Sequence, residues 1–237
     1  MYVNRLVQIV RTLSDNARRR RSVRFRSSFV LDQKTRILDI GSEDGSAIAA
    51  VLAGTSVHPG NVYIADIDKA LVSEGHDRYG FTPIVIEEAA KLPFEDAYFD
   101  IVYCSSVIEH VTVPKASVWE LLNGDQFARQ AWQRQTEFAN EIRRIGRGYF
   151  VQTPNKWFIV ESHSWLPFVG WLPRTVLVPL LALTNRIWIK RTAPDWYLLT
   201  RSKMRKLFPE ATLARESFFG MTKSLMAIKS LQNDKPR

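Results

Sequence analysis

The sequence is poorest in cysteine. Its 237 residues hold one, Cys104, and one thiol cannot close an internal disulfide. That excludes a disulfide-stapled secreted scaffold and fits a reducing cytoplasm. Cys104 itself reads as a small core residue at a strand end. No apolar run makes a good membrane-spanning helix: the richest stretch, 157–190, is broken by Arg174 and three prolines. The first residues do not read as a signal peptide, because Arg5 and Arg11 interrupt them and no small-residue cleavage site follows. No His, Cys and carboxylate spacing matches a metal-ligand set, so no metal is expected. Internal repeats and low-complexity segments are also absent.

Charge is present but unevenly placed. Residues 1–36 hold ten Lys and Arg against two Asp and Glu, while the other 201 residues are close to neutral. The run Arg18-Arg19-Arg20-Arg21, with Arg24 and Arg26, centres this basic arm. Such an arm suits anionic lipid, nucleic acid or a phosphorylated substrate, or is a solvated helix face.

Nearly half the residues are hydrophobic, enough for one sizeable core. Val3, Leu6, Val7, Val10 and Leu13 fall at helical spacing, and a second short helix is expected around Phe25 and Phe29. Beyond that arm, short apolar runs alternate with helical segments. Strands are expected at 36–40, 62–65, 82–86, 99–103 and 149–152, and helices at 46–53, 69–75 and 125–145. This alternation implies right-handed crossovers and a mostly parallel sheet. Leu213–Phe219 and Ser224–Ile228, joined near Gly220, read as an antiparallel hairpin. The fold class is therefore α/β: a doubly wound, mostly parallel seven-stranded Rossmann-like sheet with an antiparallel C-terminal hairpin. The arm spans 1–35 and the domain 36–231, with an apolar insertion at about 157–200 covering the sheet's carboxyl edge. Residues 232–237 are expected to be a frayed tail.

In such a sheet, ligands bind beyond the carboxyl ends of the strands. The first such loop is Asp39-Ile-Gly41-Ser42-Glu43-Asp-Gly45. Gly41 permits a sharp turn and a close approach to the backbone, and Gly45 opens the next helix. A dinucleotide fingerprint would need glycine where Glu43 and Ser46 stand, so that reading fails twice. Asp66, followed by Ile67, ends the second strand, where a carboxylate can accept from two ribose hydroxyls. It could instead cap the following helix, a role that Asp68 can also fill.

The first loop resembles the D-x-G-x-G-x-G signature of class I S-adenosylmethionine-dependent methyltransferases, with a departure at Glu43. Glu88-Ala89-Ala90-Lys91-Leu92-Pro93-Phe94 resembles that family's D-A-x-x-L-P-F, and Phe99 to Val111 resembles its F-D-x-V-x-x-x-x-x-x-E-H-V. Segments 149–158, 161–167 and 198–209 are similar to bacterial members that modify small molecules or envelope glycans and lipids. The resemblance implies S-adenosyl-L-methionine as cofactor, with Asp39, Gly41, Ser42, Glu43, Gly45, Asp66, Ile67, Glu88, Ala89 and Ser105 around it. Glu88 and the Ala89 amide would read the adenine edge.

The acceptor is less legible. If it is a hydroxyl, a nearby base would help remove its proton. His163 stands two residues from Glu161, on the same face of a strand-like stretch, and the carboxylate would fix its tautomer. A purely structural hydrogen bond is the alternative. His110 is the second candidate, while His58 and His76 fall in loops without ligand-like partners. The expected activity is methyl transfer, at oxygen, to a small-molecule, glycan or lipid-linked acceptor. An RNA methyltransferase using the basic arm and an inactive cofactor-binding scaffold remain open. The expected location is cytoplasmic, with peripheral contact to an anionic inner membrane face through the arm and the insertion.

Overall fold

The computed structural model describes residues 2–87 and 91–230, with the side chains of residues 2–14 outside that description. The chain forms two compact units, one ending at Val85 and the other spanning Ile86–Lys229.

The first unit opens with α1 (Tyr2–Ser28), one continuous helix where two were expected. No glycine or proline lies between its ends, so nothing breaks the backbone ladder. Its last turns are anchored: Phe25 and Phe29 are buried, and the Arg26 guanidinium donates to the Val51 carbonyl at 2.7 Å. Arg18, Arg19, Arg20 and Arg24 are exposed. Then follow β1 (Ile37–Ile40), α2 (Ser46–Leu52), β2 (Val62–Asp66), α3 (Lys69–Tyr79) and β3 (Thr82–Val85). The strands run parallel, with β2 between β1 and β3. β1 is buried along its whole length, as a central strand of a doubly wound sheet must be.

Helix α3 runs four residues past its expected end, so His76 sits in its last turn rather than in a loop. The His76 Nδ1 lies 2.7 Å from the Phe81 carbonyl. His58 caps a single 3₁₀ turn, its Nδ1 accepting from the Gly60 amide. Gly75 lets α3 approach the first loop. A Cβ there would stand 2.5 Å from Ile64 Cδ1 and 2.7 Å from the Asp44 carbonyl.

The second unit contains β4 (Phe99–Ser105), α4 (Gly124–Ile145), β5 (Gly146–Pro154), α5 (Arg174–Ile187), α6 (Arg201–Leu207), β6 (Thr212–Phe218) and β7 (Met221–Lys229). β4 and β5 are parallel, β7 pairs antiparallel with β5, and β6 pairs antiparallel with β7. Phe219 and Gly220, both in the left-handed region, make the two-residue turn between β6 and β7. All seven expected strands are present, three in one unit and four in the other, and the final pair is the expected hairpin. Helix α4 starts with Asn123 accepting from the Gln126 amide, and buries a stripe through Phe127, Ala131, Ala139 and Ile142.

The insertion between β5 and α6 meets the loop after β4: the Tyr197 amide donates to the Glu109 carbonyl and the Thr112 hydroxyl to the Asp195 carbonyl, both at 2.7 Å. Helix α5 buries Leu177 and Leu181 with Val169, Trp196 and Leu198. The Arg174 guanidinium donates to the Leu121, Pro194 and Val118 carbonyls, which ties the start of α5 down. It lies over the Phe127 ring at 3.7 Å. Burial lowers its pKa to about 10. Among the described residues, no helix is long and apolar enough to cross a membrane. The expected frayed tail lies outside the described residues.

Candidate functional site

In the first unit, the strand ends gather three carboxylates around one loop. Gly41, Glu43 and Gly45 all have φ between 51° and 71°, so the loop alternates through the left-handed region. Glu43 holds a conformation that glycine adopts without strain, which is the physical cost of the departure noted above. The loop is fixed by Gly41 N donating to the Ala65 carbonyl at 2.7 Å and by Glu43 N donating to Asp66 Oδ2 at 3.0 Å. Asp66 Oδ1 accepts from the Asp68 amide, and Asp68 caps α3 by accepting from Ala70 N and Leu71 N. Asp66 is thus not the helix cap. It bridges the two strand-end loops. Ile67, next to it, is nearly half exposed.

Asp39 and Ser42 are buried, yet Asp39 Oδ2 and Ser42 Oγ have no hydrogen-bond partner. Burial, reinforced by the nearby Asp66 and Glu43 charges, holds the Asp39 pKa well above the usual carboxylate range. Buried polar atoms without a protein partner are uncommon, and at these strand ends a ligand or water can complete the bonding.

In the second unit, the loop after β4 meets the insertion. Glu109 is fully buried; its Oε2 accepts from Thr153 Oγ1 at 2.9 Å, while its Oε1 has no hydrogen-bond partner. That oxygen faces His163 Nε2 at 3.7 Å. His163 Nδ1 lies 2.5 Å from Glu161 Oε1. The two residues meet differently from the expectation, which placed them on one face of a strand. They form a turn in which the Glu161 carboxylate also accepts from the His163 and Ser164 amides. A short carboxylate that satisfies the backbone of the next residues favours such a turn over an extended strand.

His110 stands edge-on to His163, with ring centroids 4.5 Å apart, and its Nδ1 lies 3.2 Å from Asp195 Oδ2. Trp196 stacks on the other side of His163 at 6.0 Å. Burial opposes a charge on His163, but Glu109 and Glu161 together outweigh it and raise its pKa to about 9. Burial likewise opposes the charges on Glu161 and Asp195, and the histidine hydrogen bonds overcome it, so both carboxyls titrate below their usual range. Ligand-type atoms of Glu109, His110 and His163 lie within 4.8 Å of one another, close enough to hold a cation once His163 has lost its proton. The sequence spacing concealed this set, because His163 enters from a distant segment.

Ser105 Oγ and Ser106 Oγ both donate to Gln152 Oε1 on β5. Cys104 is fully buried in β4. Glu88 and Ala89 lie outside the described residues. In the sequence Arg174 stands out only as a break in the apolar insertion, and Asp195 and Trp196 do not stand out at all. Asp195-Trp196 carries no local pattern, and only the folded path brings it to His110 and His163.

Residues 38–123 match the family model for a methyltransferase domain. A ubiquinone/menaquinone biosynthesis C-methyltransferase from Cupriavidus taiwanensis is 31% identical over 90 residues, 36% of this chain and 37% of the relative. The chain thus aligns with little more than a third of the length of the curated relatives it matches. Among solved structures, the putative methyltransferase in complex with the Haloferax volcanii Trm112 activator superposes with a TM-score of 0.52. It shares 13% identity and covers 84% of this chain and 83% of that one. A Methanosarcina mazei structure described as a SAM-dependent methyltransferase gives 0.50 at 11% identity, covering 84% and 92%. At such identities these likenesses show the fold alone. Over residues 38–123 the chain is thus similar to a methyltransferase domain, for which S-adenosylmethionine is the expected cofactor.

The residues present fit that cofactor. Its cationic sulfonium and ammonium suit a strand-end region rich in carboxylates, its ribose hydroxyls suit Asp66, and its polar atoms can complete Asp39 and Ser42.

Proposed function

We propose that this protein transfers a methyl group from S-adenosylmethionine to a hydroxyl oxygen of a small-molecule, glycan or lipid-linked acceptor. One observation carries the choice of oxygen: His110, a third exposed, has its Nδ1 held 3.2 Å from the partly buried Asp195 carboxylate, within a partly open cluster. A hydroxyl must lose its proton during the transfer, and such a histidine can take it.

When bound, the cofactor supplies an electrophilic methyl on sulfur. Asp66 would accept from its ribose hydroxyls, and the Gly41–Gly45 loop would present its backbone to its amino-acid portion. The protein's remaining work is orientation and proton handling. At neutral pH His163 already carries its proton, because its pKa is about 9. The role of base therefore passes to His110, with a third of its side chain exposed against 15% for His163. Ionised Asp195 accepts from His110 Nδ1–H, which leaves the Nε2 lone pair to receive the acceptor's proton. His163, clamped between Glu109 and Glu161, positions the His110 ring by edge contact.

The test uses methyl-labelled S-adenosylmethionine with an envelope extract containing glycans and lipids. Label should enter the organic-soluble or glycan fraction as a base-stable methyl ether. His110→Gln should lower kcat by about 10²- to 10⁴-fold, with cofactor affinity unchanged. Label entering RNA, or full activity in His110→Gln, would contradict the reading. Cofactor binding with no transfer to any fraction would favour the inactive scaffold.

A further inference from the structure

The insertion has an unusual outer surface. Its helix α5 is apolar on both sides. Leu177, Val178 and Leu181 are buried, while Val176, Leu183 and Ile187 are exposed, Ile187 to 80%. Val176, Leu180, Leu183 and Ile187 recur at intervals of four, three and four residues, so they form one stripe along the helix. A helix apolar all round is normally buried on every side or placed against lipid. At 14 residues α5 spans only about 21 Å, too short to cross a bilayer core of roughly 30 Å.

Aromatic side chains on the same insertion are also exposed. Trp157 packs with Trp171, and Trp171 with Phe168, at 6.5 and 5.4 Å between ring centroids. Phe168 is held out by a left-handed backbone (φ 64°), a strained conformation for a bulky residue. All three rings are over 40% exposed. Cations accompany them. The Lys156 ammonium lies over the Trp157 ring and Lys190 over Trp165, while Arg186 and Arg191 are exposed. The charge has one sign: in residues 156–192 the sole acid is Glu161, and it is buried under His163.

We infer that this face of the insertion docks on an anionic lipid bilayer, with the α5 stripe and the Trp157–Phe168–Trp171 group entering the headgroup boundary and Lys156, Arg186 and Arg191 meeting lipid phosphate. Tryptophan beside basic residues, with no exposed acid, is the chemistry of an interfacial segment. The exposed basic residues and the lack of an exposed acid together favour an anionic surface, which attracts the first and would repel the second. The inference rests on the methyl-transfer reading in one respect: the acceptor it favours is a lipid-borne one, presented at that surface.

Co-sedimentation of the full chain tests it, with vesicles of phosphatidylcholine alone or with added phosphatidylglycerol. The protein should bind the anionic vesicles at low salt and release as salt shortens the screening length from about 10 Å to about 3 Å. Leu183→Glu with Ile187→Glu should weaken partition at least about tenfold. Both sites are exposed, so folding should persist, and unchanged circular dichroism and S-adenosylmethionine titration check this. Absence of binding to anionic vesicles at low salt would overturn the inference, as would equal binding to neutral vesicles. So would a wild-type dimer that the double variant converts to monomer, which would assign the face to self-association. Failure of the methyl-transfer reading would show in the cofactor titration instead, leaving vesicle binding unaffected.

Discussion

His163 makes the stability of the protein depend on pH in a direction opposite to that of a buried neutral histidine. Its pKa rises from the ordinary 6.5 to about 9, because the two glutamates outweigh the cost of burying its charge. A proton held more tightly in the folded state stabilises folding wherever the unfolded chain would release it. The contribution is therefore fully present below about pH 6.5 and is lost as pH climbs through 9. At about 1.4 kcal/mol for each tenfold change, the difference is worth about 3 kcal/mol. The side chain is only 15% exposed, so solvent screening takes little of it. Urea denaturation at a series of pH values, on the wild type and on His163→Gln, isolates the term. The wild type should lose about 3 kcal/mol more than the variant between pH 6 and about pH 10. Glu161 belongs to the same interaction, with a lowered pKa, and its share is lost on the acid side. Parallel pH profiles for the two proteins would refute the reasoning. His163 would then be neutral at rest and available as the base.

Two further perturbations probe how the units are held. Arg174→Met removes three hydrogen bonds to the Leu121, Pro194 and Val118 carbonyls. It should cost about 3 kcal/mol and speed amide exchange across α5; a loss under about 1 kcal/mol would show that the buried charge had cost as much as it gained. Glu43→Gly relieves a left-handed non-glycine residue and should raise stability by about 0.5–1 kcal/mol in urea denaturation, with cofactor binding retained. Destabilisation would mean that the Glu43 side chain is itself needed.

Strand runs such as Ile37–Ile40 and Val62–Asp66 were legible because buried strands need mostly apolar residues, and Gly41 after the first and Asp66 at the end of the second mark the edge where ligands bind. The strand-end loop was legible for the same local reason: glycine spacing and a carboxylate are written in adjacent residues. The single helix α1 was less so. Its apolar spacing changes after Leu13, and only the absence of a breaker hints that the backbone continues. The Glu109, His110, His163 and Asp195 cluster is non-local. Glu161 was correctly paired with His163, yet the geometry is a turn, since backbone amides compete for the carboxylate. The proton on His163 depends on Glu109, whose approach to 3.7 Å no spacing could reveal.

The proposed methyl transfer requires the strand-end loop of the first unit to take S-adenosylmethionine. Isothermal titration of the wild type and of Asp66→Ala tests it most directly. The wild type should show saturable one-site binding. The variant should lose about 1.5–3 kcal/mol, the worth of hydrogen bonds to a charged group. A folded wild type that takes up no cofactor, or a folded Asp66→Ala with unchanged affinity, would contradict it.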